Sequence, residues 1–314
     1  MGNPSHFFLK KRGLITGARG FIGRHLIQQL HEYGAQISTI SRNRSDFPQK
    51  IEQYAINITN TRAIHDCIQN SQPDYIFHLA AYKKRDAGIQ AFYSSVETNL
   101  IGSLNVFSAA KDVHSIQSIV TVGTAEEYGN NKPPFNEQLR EGPVTPYSFS
   151  KLCVSHMGEL FFHLYNLPVI IVRPTIAYGP GQGMDMFLPS LISSLLDNKP
   201  FDMTFGKQTR DFVYVSDLVE ALILASRNTN AQGQIINIGS GVSIRLADVA
   251  EKIEKMLNKK GLVNLGGKPY RKNEVMDYHV DLTKAQHLLG WTPKISLEEG
   301  LTNTIAHYKD VIKV

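Results

Sequence analysis

A chain of 314 residues with 42% hydrophobic and 19% charged side chains is long enough for two lobes with full apolar cores, and its composition is not that of a disordered chain. Two cysteines, Cys67 and Cys153, exclude a disulfide framework and cannot alone make a four-ligand zinc site, so a reducing, cytoplasmic setting and no metal are expected. The charge of +5 is mild and scattered, no apolar run reaches the roughly 18 residues of a membrane span, and the start MGNPSHFFLKKRG lacks a signal peptide's apolar stretch. Nucleic-acid and membrane partners are therefore not expected, whereas a small anionic ligand is.

Residues 14–16 read as the end of a strand, 21–33 as a helix closed by Gly34, 36–40 and 54–58 as strands, and 61–70 as a helix. Strand 75–80, helix 96–113, strand 116–122, helix 147–165 and strand 169–172 follow. Strands separated by helices of this length predict βαβ units and an α/β fold with a parallel sheet covered on both faces. Runs such as SIVTV and PVIIV do not alternate, as expected of strands buried on both sides. After Arg173-Pro174 the character changes: Gly and Pro cluster in YGPGQG (178–183), followed by helix 186–197, strand 211–215, helix 217–227 and strand 235–238. Helix 246–257, with Ser243 as its N-cap, and helix 297–309 complete a smaller C-terminal lobe.

The sharpest local signal is Thr16-Gly17-Ala18-Arg19-Gly20-Phe21-Ile22-Gly23, directly after the first strand and opening the first helix. That is the context of a dinucleotide-binding fingerprint. Gly17 permits the tight turn, Gly20 lets backbone approach a pyrophosphate, and Gly23 allows close packing. The helix N-terminus offers unpaired N–H groups to the phosphates. NAD sites place a carboxylate about 20 residues later, at the end of the second strand, for the ribose 2′-hydroxyl. Here that strand runs into Ser41-Arg42-Asn43-Arg44, with no acid before Asp46. Arg42, with Arg19 in the glycine loop, could grip a 2′-phosphate, so NADP(H) is the expected cofactor.

In Tyr147-Ser148-Phe149-Ser150-Lys151 a spacing of four puts a phenol and an ammonium on one helical face. Free tyrosine titrates near 10 and is a poor acid–base group at neutral pH, but a lysine and a cofactor's positive charge favour its phenolate. The pair follows strand 116–122 and Thr124, whose hydroxyl is placed to face the cleft.

With these motifs the chain resembles the extended short-chain dehydrogenase/reductases, in their nucleotide-sugar branch, over nearly its whole length. The likeness rests on TGARGFIG, INI at 56–58, HLAA at 78–81, Asn99, Thr124/Tyr147/Lys151, RPTIAYGPGQ at 173–182, RDFVYVSDLVEAL at 210–222, INIGSG at 236–241 and LGW at 289–291. The resemblance implies a Rossmann domain over residues 1–172, rejoined by part of 210–238, and a substrate lobe over 173–314. It implies that Tyr147 is the acid–base group, that Lys151 binds the nicotinamide ribose, and that Thr124 hydrogen-bonds the reacting sugar oxygen. Asn57, Ile58, Leu79, Ala80, Ala81 and Asn99 join the glycine loop around the cofactor. Lys83, Glu126, Arg210 and Arg271 fall on the substrate side, the two arginines at positions that hold a nucleotide diphosphate. A homodimer built on helices 96–113 and 147–165 is also implied.

The branch contains epimerases, 4,6-dehydratases and 4-ketoreductases. Dehydratases commonly carry Thr-Asp-Glu or Thr-Ser-Glu where this chain has Thr124-Ala125-Glu126, and Ala125 cannot protonate a departing hydroxyl. The frame VGTAEEYG looks like that of NDP-4-keto-6-deoxyhexose 4-reductases. NADPH-dependent reduction at C4 is therefore the expected reaction, with a 4-epimerase or 4,6-dehydratase as alternatives and a non-catalytic NADP sensor as a different class. Many relatives carry an asparagine just after the Arg173 strand, whereas here Thr175-Ile176-Ala177 stands, so the phosphate grip must differ.

Overall fold

The computed structural model describes residues 7–47, 51–84 and 88–312. A seven-stranded sheet, all of whose pairs are parallel, is built from β1 (Arg12–Thr16), β2 (Gln36–Ser41), β3 (Glu52–Ala55), β4 (Tyr75–His78), β5 (Ser118–Val122), β6 (Val169–Pro174) and β9 (Ile235–Ile238). Their order is β9-β6-β5-β4-β1-β2-β3. Neighbouring residues on the central strands go to opposite faces. Ile15, Phe77, Val120 and Ile170 pack in one core, and Leu14, Ile76, Ile119 and Ile171 in the other. That two-sided burial explains why these runs are continuously apolar. The strand order reverses between β1 and β4, which opens a crevice beyond their carboxyl ends, where open α/β sheets take their ligands.

Helix α1 (Phe21–Glu32) follows β1 and α2 (Thr61–Ser71) follows β3. Helix α3 (Ile89–Ser95) runs through a π-helical stretch, Val96–Ile101, into α4 (Gly102–Ala110), and α5 (Pro146–Tyr165) precedes β6. The helix expected from residue 96 thus begins seven residues earlier. Ile89, Phe92 and Tyr93 are exposed, so this first turn lacks the buried stripe by which a helix is recognised from sequence.

Past β6 a second core gathers Tyr178, Leu191, Leu195, Phe212, Val249, Ile253, Leu301 and Ile305. They come from β7 (Ile176–Tyr178), β8 (Phe212–Tyr214) and helices α6 (Phe187–Leu196), α8 (Leu246–Leu257) and α9 (Leu297–Ile312); α7 (Val215–Ser226) returns to the main sheet's core. The N-cap of α8 is Arg245 rather than Ser243, because Ile244–Arg245 first pairs as a short strand with Thr209–Arg210. No helix among the described residues is long and apolar enough to cross a membrane.

Candidate active site

The glycine loop lies at the strand-order reversal, between the ends of β1 and β4. Gly17 has φ +70°, and a Cβ there would come within 2.6 Å of the Ala80 nitrogen and 2.7 Å of the Leu79 carbonyl carbon. Only glycine can bring β1's turn this close to the HLAA segment. A Cβ on Gly23 would meet the Gly17 oxygen at 2.7 Å, so α1 is pulled onto the turn. The helix starts from Gly20 with no side-chain cap. First-turn N–H groups left without a cap, behind a turn that admits no side chain, are the donor set that suits a pyrophosphate, so these residues fit a dinucleotide. Arg19 and Arg42 are both exposed, Arg42 just past the end of β2.

The INI segment falls just after β3 rather than within it. Ile58 is buried against Gly102, with its carbonyl held by Asn105 Nδ2 at 3.0 Å, while Asn57 is exposed. Leu79, Ala80 and Ala81 follow β4 as a loop, half-buried beside the glycine turn. Asn99 lies in the π-helical stretch, a distortion common at functional sites. Its side chain receives a hydrogen bond from Tyr82 N at 2.6 Å and donates to Tyr82 O at 3.1 Å and Ser150 Oγ at 2.8 Å. Ser150 Oγ in turn donates to the Tyr147 carbonyl at 2.8 Å. Asn99 therefore clasps the loop beyond β4 to the first two turns of α5, where the Tyr/Lys pair resides.

Behind it runs a buried chain that the sequence did not disclose. His78 sits between Thr16 Oγ1, 2.7 Å from Nδ1, and Ser103 Oγ, 2.8 Å from Nε2. Ser103 Oγ donates to the Asn99 carbonyl at 2.5 Å. Complete burial pushes His78 down to about 3, so it is neutral, and the chain joins the end of β1 to the π-helical stretch.

Helix α5 begins with Thr145 as N-cap and Pro146 in its first turn. Lys151 is almost wholly buried, and its Nζ donates to the Val122 carbonyl at 2.6 Å. That bond stitches the helix to the carboxyl end of β5, two residues before Thr124. Burial pushes Lys151 down to about 8, and the Glu127 charge pulls it partly back. Thr124 caps the short turn Ala125–Tyr128, its Oγ1 accepting from Glu126 N at 3.2 Å. Thr124, Tyr147 and Lys151 are thus held at one place by β5 and the first turns of α5.

Directly beneath is a buried ionic cluster. Glu127 accepts from Thr124 N at 2.8 Å and from Ser155 Oγ at 2.7 Å, and pairs with Arg173 Nε at 2.6 Å. Arg173 Nη2 donates to Glu141 at 2.8 Å, and its guanidinium lies 4.9 Å from the Tyr128 ring centroid. Burial pushes Glu127 up; Arg173, Ser155 and the Thr124 N–H oppose it. Each of these contacts offers a proton donor or a cation and so favours the carboxylate form of Glu127. A charged residue closing the apolar run PVIIVRP was the available signal for this cluster.

Across the crevice, Lys83 pairs with Asp185 at 3.4 Å, and His25 on α1 contacts the Pro180 carbonyl at 2.9 Å. Arg210 is half-buried and tied to the 274–275 segment, whereas Arg271 is exposed. Asp211 anchors the INIGSG loop, accepting from Ser240 N at 2.6 Å and Oγ at 2.7 Å and from Gly241 N at 3.1 Å.

The profile of the NAD dependent epimerase/dehydratase family matches residues 13–239. The chain belongs to this family. It is 28% identical to UDP-glucuronate 4-epimerase of Thermodesulfobacterium geofontis, covering 96% of this chain and 97% of that protein. It is 30% identical to UDP-N-acetyl-alpha-D-glucosaminuronate decarboxylase of Bacillus cytotoxicus, covering 96% and 99%. The structure of UDP-glucuronic acid 4-epimerase from Bacillus cereus, in complex with UDP-glucuronic acid and NAD, superimposes with a TM-score of 0.88 at 27% identity, covering 96% of this chain and 99% of that one. The α/β sheet expected from sequence and the nucleotide-sugar branch both hold. None of these three relatives is named as a ketoreductase.

Proposed function

We propose that this protein is a nucleoside diphosphate-sugar 4-epimerase, acting on a pyrimidine nucleotide. The carrying observation is the Lys151–Val122 anchor, which fixes the Tyr147 helix beside Thr124 at the end of β5. In this reading Tyr147 takes the proton of the C4 hydroxyl and later returns it. Thr124 hydrogen-bonds that oxygen, and Lys151 favours the phenolate by its charge. A bound nicotinamide supplies the hydride acceptor and donor for C4. Ala125 is fully buried and has no proton for a C6 hydroxyl, which weighs against 4,6-dehydration. Net reduction of a 4-keto sugar by NADPH is the second reading, favoured by Arg42 at the end of β2 and the VGTAEEYG frame.

The test is incubation with UDP- and dTDP-sugars, with products resolved by NMR. Epimerisation yields a C4 epimer with no net cofactor consumption; reduction consumes one NADPH per 4-keto sugar. Tyr147→Phe should lower turnover by about 10²–10⁴-fold, and Thr124→Ala by less. Glu126→Gln should stay active, because neither reading needs a base for the C5 proton. A Tyr147→Phe protein with full turnover would falsify the assignment.

A further inference from the structure

None of the steps above uses Glu127, although it is completely buried next to both Thr124 and the helix of the Tyr/Lys pair. We propose that Glu127 is a positioning residue for the acid–base pair: its carboxylate holds the Thr124 turn and supplies the negative charge opposite the Lys151 ammonium. This rests on the reading of Tyr147 and Lys151 given above.

The first half follows from the contacts of Glu127, the second from the charges buried around Lys151. Glu127 Oε1 accepts from Thr124 N, so the carboxylate fixes the start of the turn that carries the Thr124 hydroxyl. The other oxygen takes Ser155 Oγ, one turn beyond Lys151 on the same helix face, so the turn and the helix move as one body. Gly123 is what admits the carboxylate, because a Cβ there would stand 2.6 Å from Glu127 Oε1.

Lys151 Nζ meets a neutral carbonyl, and burial alone disfavours its charge. His78, facing it from β4, is neutral, and Tyr147 on its own helix is the group it serves. Arg173 on β6 is a second buried cation, and Glu141 is its second carboxylate. His156 approaches Glu141 at 3.6 Å on the outer side. Lys151 and Arg173 are thus balanced by Glu127 and Glu141. Removing the Glu127 charge leaves an uncompensated positive charge in the interior, and Lys151, the weaker cation, gives up its proton more easily.

Glu127→Gln is the discriminating variant, since the amide oxygen of glutamine can still accept from Thr124 N and its NH2 group can donate to Ser155 Oγ, while the side chain carries no charge. The readout is the titration of Lys151 by NMR in protein labelled with [ε-13C]lysine, without cofactor or substrate, with the signal assigned by its loss in Lys151→Met. The midpoint in Glu127→Gln should fall by about one pH unit or more. Glu127→Asp, which keeps the charge but cannot span the same contacts, should titrate much nearer the native protein. A purely structural role reverses this order: Glu127→Asp would be the damaged variant and Glu127→Gln would titrate as native. An unchanged midpoint in Glu127→Gln overturns the proposal. Should the unpaired Arg173 prevent that variant from folding, Arg173→Met and Glu127→Gln/Arg173→Met carry the same comparison, the double variant titrating lower. Because the titration needs no turnover, a protein inactive on every nucleotide sugar would sink the proposed reaction while leaving this result to stand or fall separately.

Discussion

Arg210 and Glu274 form an ion pair that joins the two segments on which the family resemblance implies a substrate diphosphate would be held. Arg210 Nη1 also donates to the Thr209 carbonyl at 2.6 Å and the Val275 carbonyl at 2.8 Å. The guanidinium is therefore held in place before any phosphate arrives, and a carboxylate already sits on it.

Two opposite effects on nucleotide affinity are expected. Arg210→Ala should weaken UDP by about 10- to 150-fold, the range of a charge-assisted hydrogen bond. Glu274→Gln should tighten it, by removing a negative charge beside the phosphates. Calorimetry with UDP measures both, and an unchanged affinity in Arg210→Ala would place the diphosphate elsewhere.

Cofactor choice turns on the end of β2. Arg42 follows Ser41, whose Oγ donates to the Asn43 carbonyl at 2.6 Å, and no acid occurs before Asp46. NADP should therefore bind more tightly than NAD, and Arg42→Ala should weaken NADP about 10- to 100-fold while leaving NAD nearly unchanged. Equal affinity of the native protein for the two cofactors would end this idea, and the NAD seen with the Bacillus cereus epimerase would be the better guide.

How far the sequence could be read depended on what each feature leaves in one dimension. The sheet was legible because strands buried on both faces write short apolar runs, and Gly17 was legible because its turn excludes any side chain. The Tyr147/Lys151 pair is local, four residues apart on one helix. Glu127, Glu141 and Arg173 are 14 to 46 residues apart and meet only when β6 lies beside β5. Similarly, His78 looked like one letter of HLAA, and its partners Thr16 and Ser103 come from another strand and a helix. Nothing in composition or periodicity announces such a cluster.

Helices α3 to α5 leave a large apolar surface uncovered. Ile89, Phe92, Ile101 and Leu104 are exposed on the first stretch, and Phe149, Leu160, Leu164 and Tyr165 on α5; the Phe92 and Phe149 rings lie 5.3 Å apart. A two-fold copy is the natural cover for a face of this kind. We propose a homodimer, and Leu160→Glu/Leu164→Glu should shift it to monomer in light scattering at micromolar concentration. Native protein that is already monomeric there would refute it.

The last expectation concerns pH. Burial lowers Lys151 in the folded protein to about 8 from an ordinary 10.5. Below about pH 8 both folded and unfolded chains hold the proton, so the full penalty of burying an ammonium is present. Between about 8 and 10.5 the unfolded chain binds more protons than the folded one, so stability rises with pH across that window. Lys151→Met removes this dependence. The penalty it relieves at pH 7 is about 3 kcal/mol. The Val122 carbonyl loses its partner in the same variant, which offsets part of that gain by about 1–3 kcal/mol. Urea unfolding of both proteins at pH 7 and pH 9.5 separates the two effects, because the lost hydrogen bond is present at both pH values and the charge penalty is not. The difference in stability should move in favour of the native protein by about 2 kcal/mol over that interval. A difference that stays constant from pH 7 to 9.5 would mean that Lys151 does not titrate there.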